Sequence, residues 1–205
     1  RSLAEIGVTD VFDLRGTREI EHDGSDNVPD GVRLNVRSFR LEPKNPEDKL
    51  ALHETAPRRT REAALEYMVN AYNSLPTLEG AAIAIRDAAN RIADGGGGVL
   101  FHCAAGKDRA GWMAISLLSA VGVTEEDVLT DYLRSNSAVG PLRTSLVERF
   151  GDKFDLSDEI LGVTEDYYRI GMKVVAENYG SFTDYLDAIG IDDSLRGRLR
   201  ERLLH

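Results

Sequence analysis

Two periods of hydrophobic spacing divide the chain. Near its start, "TDVFDLR" (Thr9 to Arg15) reads as a strand, and the preceding "SLAEIG" as a short helix that Gly7 stops. In "GVRLNVR", Val32, Leu34 and Val36 alternate with polar or charged neighbours, the pattern of a half-buried strand. The spacing then becomes helical over "REAALEYMVNAYNSL" (61–75) and "LEGAAIAIRDAANRIADG" (78–95). Gly95 to Gly98 end the second helix and lead into "VLFH" (Val99 to His102), a short apolar run that predicts a buried central strand. "RAGWMAISLLSAVG" follows as a core helix ending near Gly122, and "TEEDVLTDYLRSN" opens with Thr124 and Asp127 at capping-box-like spacing. Helical spacing continues over 141–150, 164–179, 182–189 and 192–204, broken at Gly140-Pro141, Gly151, Gly162, Gly180 and Gly190. Strands separated by helices, then helices alone, predict an α/β fold with a helical C-terminal half. Residues 37–60 hold three prolines and follow neither period, which predicts a long surface excursion.

Composition narrows the classes. At 205 residues the chain is read as one domain, 1–205, with a core of ordinary size. No apolar run reaches the roughly 18–20 residues of a membrane span, so no stable membrane insertion is expected. A net charge of −10 argues against nucleic-acid binding, which needs a basic face. The single cysteine excludes an internal disulfide and a multi-cysteine zinc site. His22, His53 and His205 have no metal-ligand spacing, and no metal is expected. These features predict a cytoplasmic protein. The chain opens on Arg1 without Met, which suggests processing or trimming and leaves export as a secreted effector open.

That one cysteine stands where chemistry is expected. "VLFHCAAGKDRAG" places Cys103 after a strand, six positions before Arg109, with a helix following. A helix N-terminus leaves its first amides unpaired and carries partial positive charge, which makes it an anion site. Ala104, Ala105 and Gly106 are small enough for successive amides to curve around one tetrahedral anion, so phosphate or sulfate is expected to fit the loop. Arg109 adds a planar fork that matches phosphate oxygens. The same field acidifies thiols placed at helix N-termini and makes Cys103 a candidate nucleophile. An ATP-type phosphate loop does not fit: Phe101 stands where its first glycine belongs, and Asp108 follows Lys107. The Gly95 to Gly98 run precedes a strand, so it is a turn and not a dinucleotide fingerprint.

"HCAAGKDRAG" resembles the signature His-Cys-x-x-Gly-Lys-Asp-Arg-(Ser or Thr)-Gly of the bacterial PtpB-type tyrosine phosphatases, relatives of the dual-specificity group. "LAEIGVTDVFDLRGTREIE", "VTEEDVLTDYLRSN" and "YGSFTDYLDAIGIDDSLRGRLRERLL" are similar to other parts of that family. The resemblance implies the cysteine-phosphatase fold, a central, mostly parallel sheet flanked by helices. It also implies a covalent phosphocysteine intermediate, no cofactor, and tolerance beyond phosphotyrosine proteins toward phosphoserine, phosphothreonine or phosphoinositide substrates. Carried over, Cys103 is the nucleophile, Arg109 the phosphate clamp, and Lys107 a contact to substrate phosphate beside Ala104, Ala105, Gly106 and Asp108. His102 is expected to orient the loop. Asp108 is the first candidate for general acid, with Glu42, Glu47 and Asp48 as alternatives. Arg15 is expected either to reach the site or, with Asp13, to be a surface charge or half of an ion pair. Ala110 departs from the signature, and loss of that hydroxyl predicts slower hydrolysis of the intermediate.

Three further expectations follow. Residues 136–163 are read as a helical lid over Cys103, set against permanently packed helices. Arg58, Arg59 and Arg61 form a basic cluster that could receive an acidic peptide or lipid head group, or simply open a solvated helix. The rival functions are a phosphate- or phosphoinositide-binding pseudophosphatase of low turnover, which Ala110 favours, and a rhodanese-like sulfurtransferase.

Overall fold

The computed structural model describes residues 2–40, 60–151 and 157–204. Among them, strand β1 (Val8–Asp13) lies between β2 (Arg33–Val36) and β3 (Gly98–His102), and both pairings are parallel. Asp10 to Asp13 are all buried. The two buried carboxylates are matched by cations: Asp10 accepts from Arg91 Nε at 2.6 Å and Asp13 from Arg15 Nε at 2.9 Å. Burial alone would raise both carboxyls, but these bonds hold them below the ordinary carboxylate range. The buried central strand is therefore β1, and not "VLFH". Of the three described strands β3 is a flank, and Leu100 within it is 39% exposed. A run of four apolar residues cannot reveal that a neighbouring strand hides its charges in ion pairs.

The register sets Asp13 beside His102 and Phe12 beside Phe101, and the Leu14 amide extends the ladder by donating to the His102 carbonyl at 2.9 Å. The carboxyl ends of β1 and β3 therefore finish side by side. In open parallel sheets that edge is where ligands bind. After β1 the chain turns into α1 (Thr17–Asp23), a polar helix that hydrophobic spacing gave no reason to expect.

Helix α2 (Arg61–Ser74) starts at Thr60, whose hydroxyl accepts from the Ala63 amide at 3.2 Å. It buries Ala64, Met68 and Tyr72, positions four apart on one face. Helix α3 (Glu79–Asp94) buries Ala81, Ala84, Ile85, Ala88 and Ala89, a stripe of mostly small residues that lets it lie close to its neighbours. The approach is tightest at Gly80, where a Cβ would fall 2.4 Å from the carbonyl oxygens of Ser38 and Phe39. Helix α4 (Arg109–Ala120) buries Trp112, Met113, Ile115 and Leu117 and is the core helix that its sequence predicts. Helix α5 (Glu125–Leu133) is capped by Thr124, which accepts from the Asp127 amide at 3.2 Å, as the spacing implied.

The C-terminal half is helical: α6 (Val139–Phe150), α7 (Asp158–Leu161), α8 (Glu165–Tyr179), α9 (Phe182–Ala188) and α10 (Asp193–Leu203). Gly140-Pro141, read as a break, lies within the first turn of α6, where proline needs no amide bond. Gly171 brings α8 against Trp112, whose indole Nε1 donates to the Tyr185 hydroxyl at 2.9 Å. No helix among the described residues is long and apolar enough to cross a membrane.

Candidate active site

Between β3 and α4 the chain curls through Cys103 to Asp108. Cys103 is 7% exposed, and its Sγ accepts the Gly106 amide at 3.2 Å. Gly106 has φ +72°, a left-handed conformation that other residues reach only with strain. The first hydrogen bond of α4 runs from the Trp112 amide to the Asp108 carbonyl at 2.8 Å, so Asp108 is the capping residue. Its carboxyl nevertheless makes no capping bond to the helix amides. It is used elsewhere.

Arg109 is oriented by a residue that sequence reading overlooked. Its Nη1 and Nη2 donate to the two carboxylate oxygens of Glu19 at 2.6 and 2.7 Å, and Nη1 also reaches the Leu14 carbonyl at 3.3 Å. A guanidinium has two two-donor edges. Glu19 takes the Nη1–Nη2 edge, so the Nε–Nη2 edge is the one left to grip an anion. Burial alone would make this guanidinium easier to deprotonate. The Glu19 bonds, then the charges of Cys103 and Asp108, more than reverse that and hold it above the usual arginine range. Glu19 is itself fixed by the Gly16 amide, which donates to its Oε2 at 2.9 Å.

On the other side of the loop, Asp108 Oδ1 accepts from Lys107 Nζ at 2.7 Å and from the Tyr72 hydroxyl at 2.9 Å. The Tyr132 hydroxyl donates in turn to the Tyr72 oxygen at 2.6 Å. Burial first, and the nearby Asp108 charge after it, push the Tyr72 phenol well above its ordinary range, and burial does the same to Tyr132. Lys107 is only 5% exposed, although it carries a charge.

His102 lies behind the loop. Its Nδ1 is 3.2 Å from the Cys103 carbonyl and its Nε2 is 2.5 Å from Asp26 Oδ2. Asp26 also accepts from Arg15 Nη2 at 2.9 Å, and Arg15 grips Asp13 as well. Arg15 and Asp13 are therefore a buried ion pair that buttresses the strand ends, the ion pair that was one expectation and not the surface charges that were another. Asp13, Asp26 and His102 bring their ligand atoms together, but the Arg15 guanidinium already engages both carboxylates.

Ala110 is buried in the first turn of α4 and borders a cavity of about 200 Å³ with Phe101, Gly106, Gly111, Tyr132 and Ser135. A smaller cavity of about 80 Å³ separates Ala105, Gly106 and Lys107 from Ala138, Val139, Leu142 and Leu161. Ala138, Val139, Leu142 and Leu161 of the 136–163 segment thus lie beside the loop. The segment's two ends are clasped, with Asn136 Nδ2 donating to the Val163 carbonyl at 2.9 Å and the Val163 amide to Asn136 Oδ1 at 2.8 Å. Arg143 pairs with Asp158 across it.

The structure brings together Cys103, Gly106, Lys107, Asp108 and Arg109. Arg61, from the basic cluster, pairs instead with Glu159 of α7 at 2.6 Å. His22 pairs with its neighbour Asp23 at 2.9 Å. Glu42, Glu47, Asp48, His53, Arg58, Arg59 and His205 lie outside the described residues. Glu19, Asp26, Tyr72 and Tyr132 were not foreseen. The stripe from Ala64 through Met68 does point to Tyr72, and Val128 points four residues on to Tyr132.

One strand–loop–helix turn thus carries a cysteine sulfur under a backbone amide, a guanidinium held by Glu19 and a carboxyl held by Lys107 and Tyr72. The chain belongs to the tyrosine phosphatase family, whose model matches residues 1–205. It is 34% identical over 234 residues to triple specificity protein phosphatase PtpB of Mycobacterium tuberculosis, covering 99% of this chain and 84% of that protein. It is also 38% identical over 112 residues to a protein of Cupriavidus necator named as a tyrosine-protein phosphatase, covering 52% of this chain and 41% of that one. The expected kinship with the PtpB-type family is borne out.

Proposed function

We propose that this chain hydrolyses phosphomonoesters through a phosphocysteine, as a protein-tyrosine phosphatase that tolerates further substrates. The observation that carries the reading is Cys103 Sγ under the Gly106 amide, next to an Arg109 whose free edge is set by Glu19. Sγ attacks phosphorus, and the P–O bond to the leaving group breaks as that oxygen takes a proton from Asp108. Water then attacks the phosphocysteine and gives its proton to the Asp108 carboxylate, which returns sulfur as thiolate. Arg109 and the loop amides stabilise the charge that grows on the phosphoryl oxygens. Phenolates leave with little protonation, whereas alkoxides need the acid. The name of the mycobacterial relative supports tolerance beyond phosphotyrosine. For phosphoinositides, the supporting features are Lys107 in the loop and Arg40 close enough to sense the Arg109 charge.

Ala110 favours a second reading, that of a phosphate binder of low turnover. Rapid mixing with an aryl phosphate separates the two. The enzyme reading predicts a burst near one equivalent, followed by slow steady-state turnover. The cavity beside Ala110 leaves room for a larger side chain, so Ala110→Thr restores a hydroxyl and raises the steady-state rate about tenfold. Absence of a burst selects the binder, and an unchanged steady state refutes the role given to Ala110.

The segment 136–163 is proposed as the lid that shields Cys103 from water and oxidants. Asn136→Ala opens its clasp and should speed inactivation by peroxide several-fold; equal rates in both proteins count against a lid.

A further inference from the structure

Asp108 Oδ1 receives two donors, Lys107 Nζ at 2.7 Å and the Tyr72 hydroxyl at 2.9 Å. With both acceptor directions of Oδ1 occupied, a proton carried by Asp108 belongs on Oδ2. The two donors are not equivalent. Lys107 sits in the loop that is to receive a phosphate dianion, and a cation there exchanges Asp108 for the incoming charge. Tyr72 cannot leave. It is fully buried, its ring stacks on Tyr167 at 5.4 Å and meets the edge of Tyr132 at 6.3 Å. Its own hydrogen is also directed, because its oxygen already accepts from Tyr132 at 2.6 Å and so donates onward to Asp108.

We propose that Tyr72 is a positioning residue for proton transfer: it holds Oδ1 of Asp108 so that Oδ2 presents the proton to the leaving oxygen once Lys107 turns to the phosphate. This rests on Asp108 as the general acid and adds the group that keeps it aimed. In the first step Oδ2–H breaks, its proton passes to the leaving-group oxygen, and the P–O bonding pair stays with that oxygen. In the second step Oδ2 recovers a proton from the attacking water. Tyr72 keeps its proton throughout, since burial and the Asp108 charge make its phenol a poor acid. The groups that face or sense Asp108 are Lys107 from the loop, Arg109 from α4, Tyr67 and Tyr72 from α2, Tyr132 from α5 and Tyr167 from α8.

The test is kcat and KM over a series of aryl and alkyl phosphates of rising leaving-group basicity, for wild type, Asp108→Asn and Tyr72→Phe. Asp108→Asn should lose about 100-fold or more in kcat on the poorest leaving groups and little on the most activated. Tyr72→Phe should show the same trend at about tenfold, with KM unchanged. A uniform loss across the series for Tyr72→Phe, or none, overturns the proposal while leaving Asp108 in place. A flat series for Asp108→Asn overturns the acid assignment and this inference with it. Should Tyr72→Phe fold poorly because Tyr132 loses its acceptor, Tyr72→Phe/Tyr132→Phe removes both hydroxyls and is read in the same way.

Discussion

Cys103→Ser lowers turnover of an aryl phosphate by about 100,000-fold, to the background of the assay. The magnitude follows from the loss of a group that forms a bond to phosphorus and that nothing nearby can replace. A serine hydroxyl is a far weaker acid and nucleophile than a thiol, and what meets Sγ here is the Gly106 amide, a donor that cannot act as a base. Binding should survive, because the Gly106 amide, the α4 N-terminus and Arg109 are all retained. Phosphate affinity measured by calorimetry beside steady-state kinetics checks both halves. A variant that keeps turnover within tenfold of wild type would remove sulfur from the mechanism.

Arg109→Lys is expected to cost about 1,000-fold in kcat/KM. An ammonium keeps the charge but cannot satisfy Glu19 with two nitrogens at 2.6 and 2.7 Å while presenting a second two-donor edge to phosphate. Glu19→Gln retains the guanidinium and loosens its aim, so a loss of about tenfold is expected there. The comparison distinguishes a clamp from a bystander. If Arg109→Lys equals wild type, or if Glu19→Gln is the worse of the two, the edge-by-edge assignment of this guanidinium is incorrect.

Much of this site was legible in the sequence because its parts are adjacent. Cys103, Gly106, Lys107, Asp108 and Arg109 lie in one turn, and the demands of that turn on residue type are local. The supporting residues were not legible, because the fold recruits them from a distance. Glu19 reaches Arg109 only because β1 and β3 end side by side, and Tyr72 reaches Asp108 only because α2 buries the face that includes Met68. Helix α1 was missed for a related reason: it exposes most of its length and carries no apolar stripe, so hydrophobic spacing is silent about it. The apolar run of β3 misled in the opposite sense. Burial in this sheet is greatest on β1, where Asp10 is neutralised by Arg91 from a distant helix and Asp13 by Arg15, two residues further on. Hydropathy counts a paired carboxylate as polar, although the folded protein hides it completely.

Rapid quenching of the protein with an aryl phosphate, followed by peptide mass analysis, tests the central claim most directly. The account predicts one phosphoryl group on the peptide that contains Cys103, formed within the burst and absent from Cys103→Ser. Product release with no phosphorylated peptide at any time, or phosphate attached to a different residue, would contradict it.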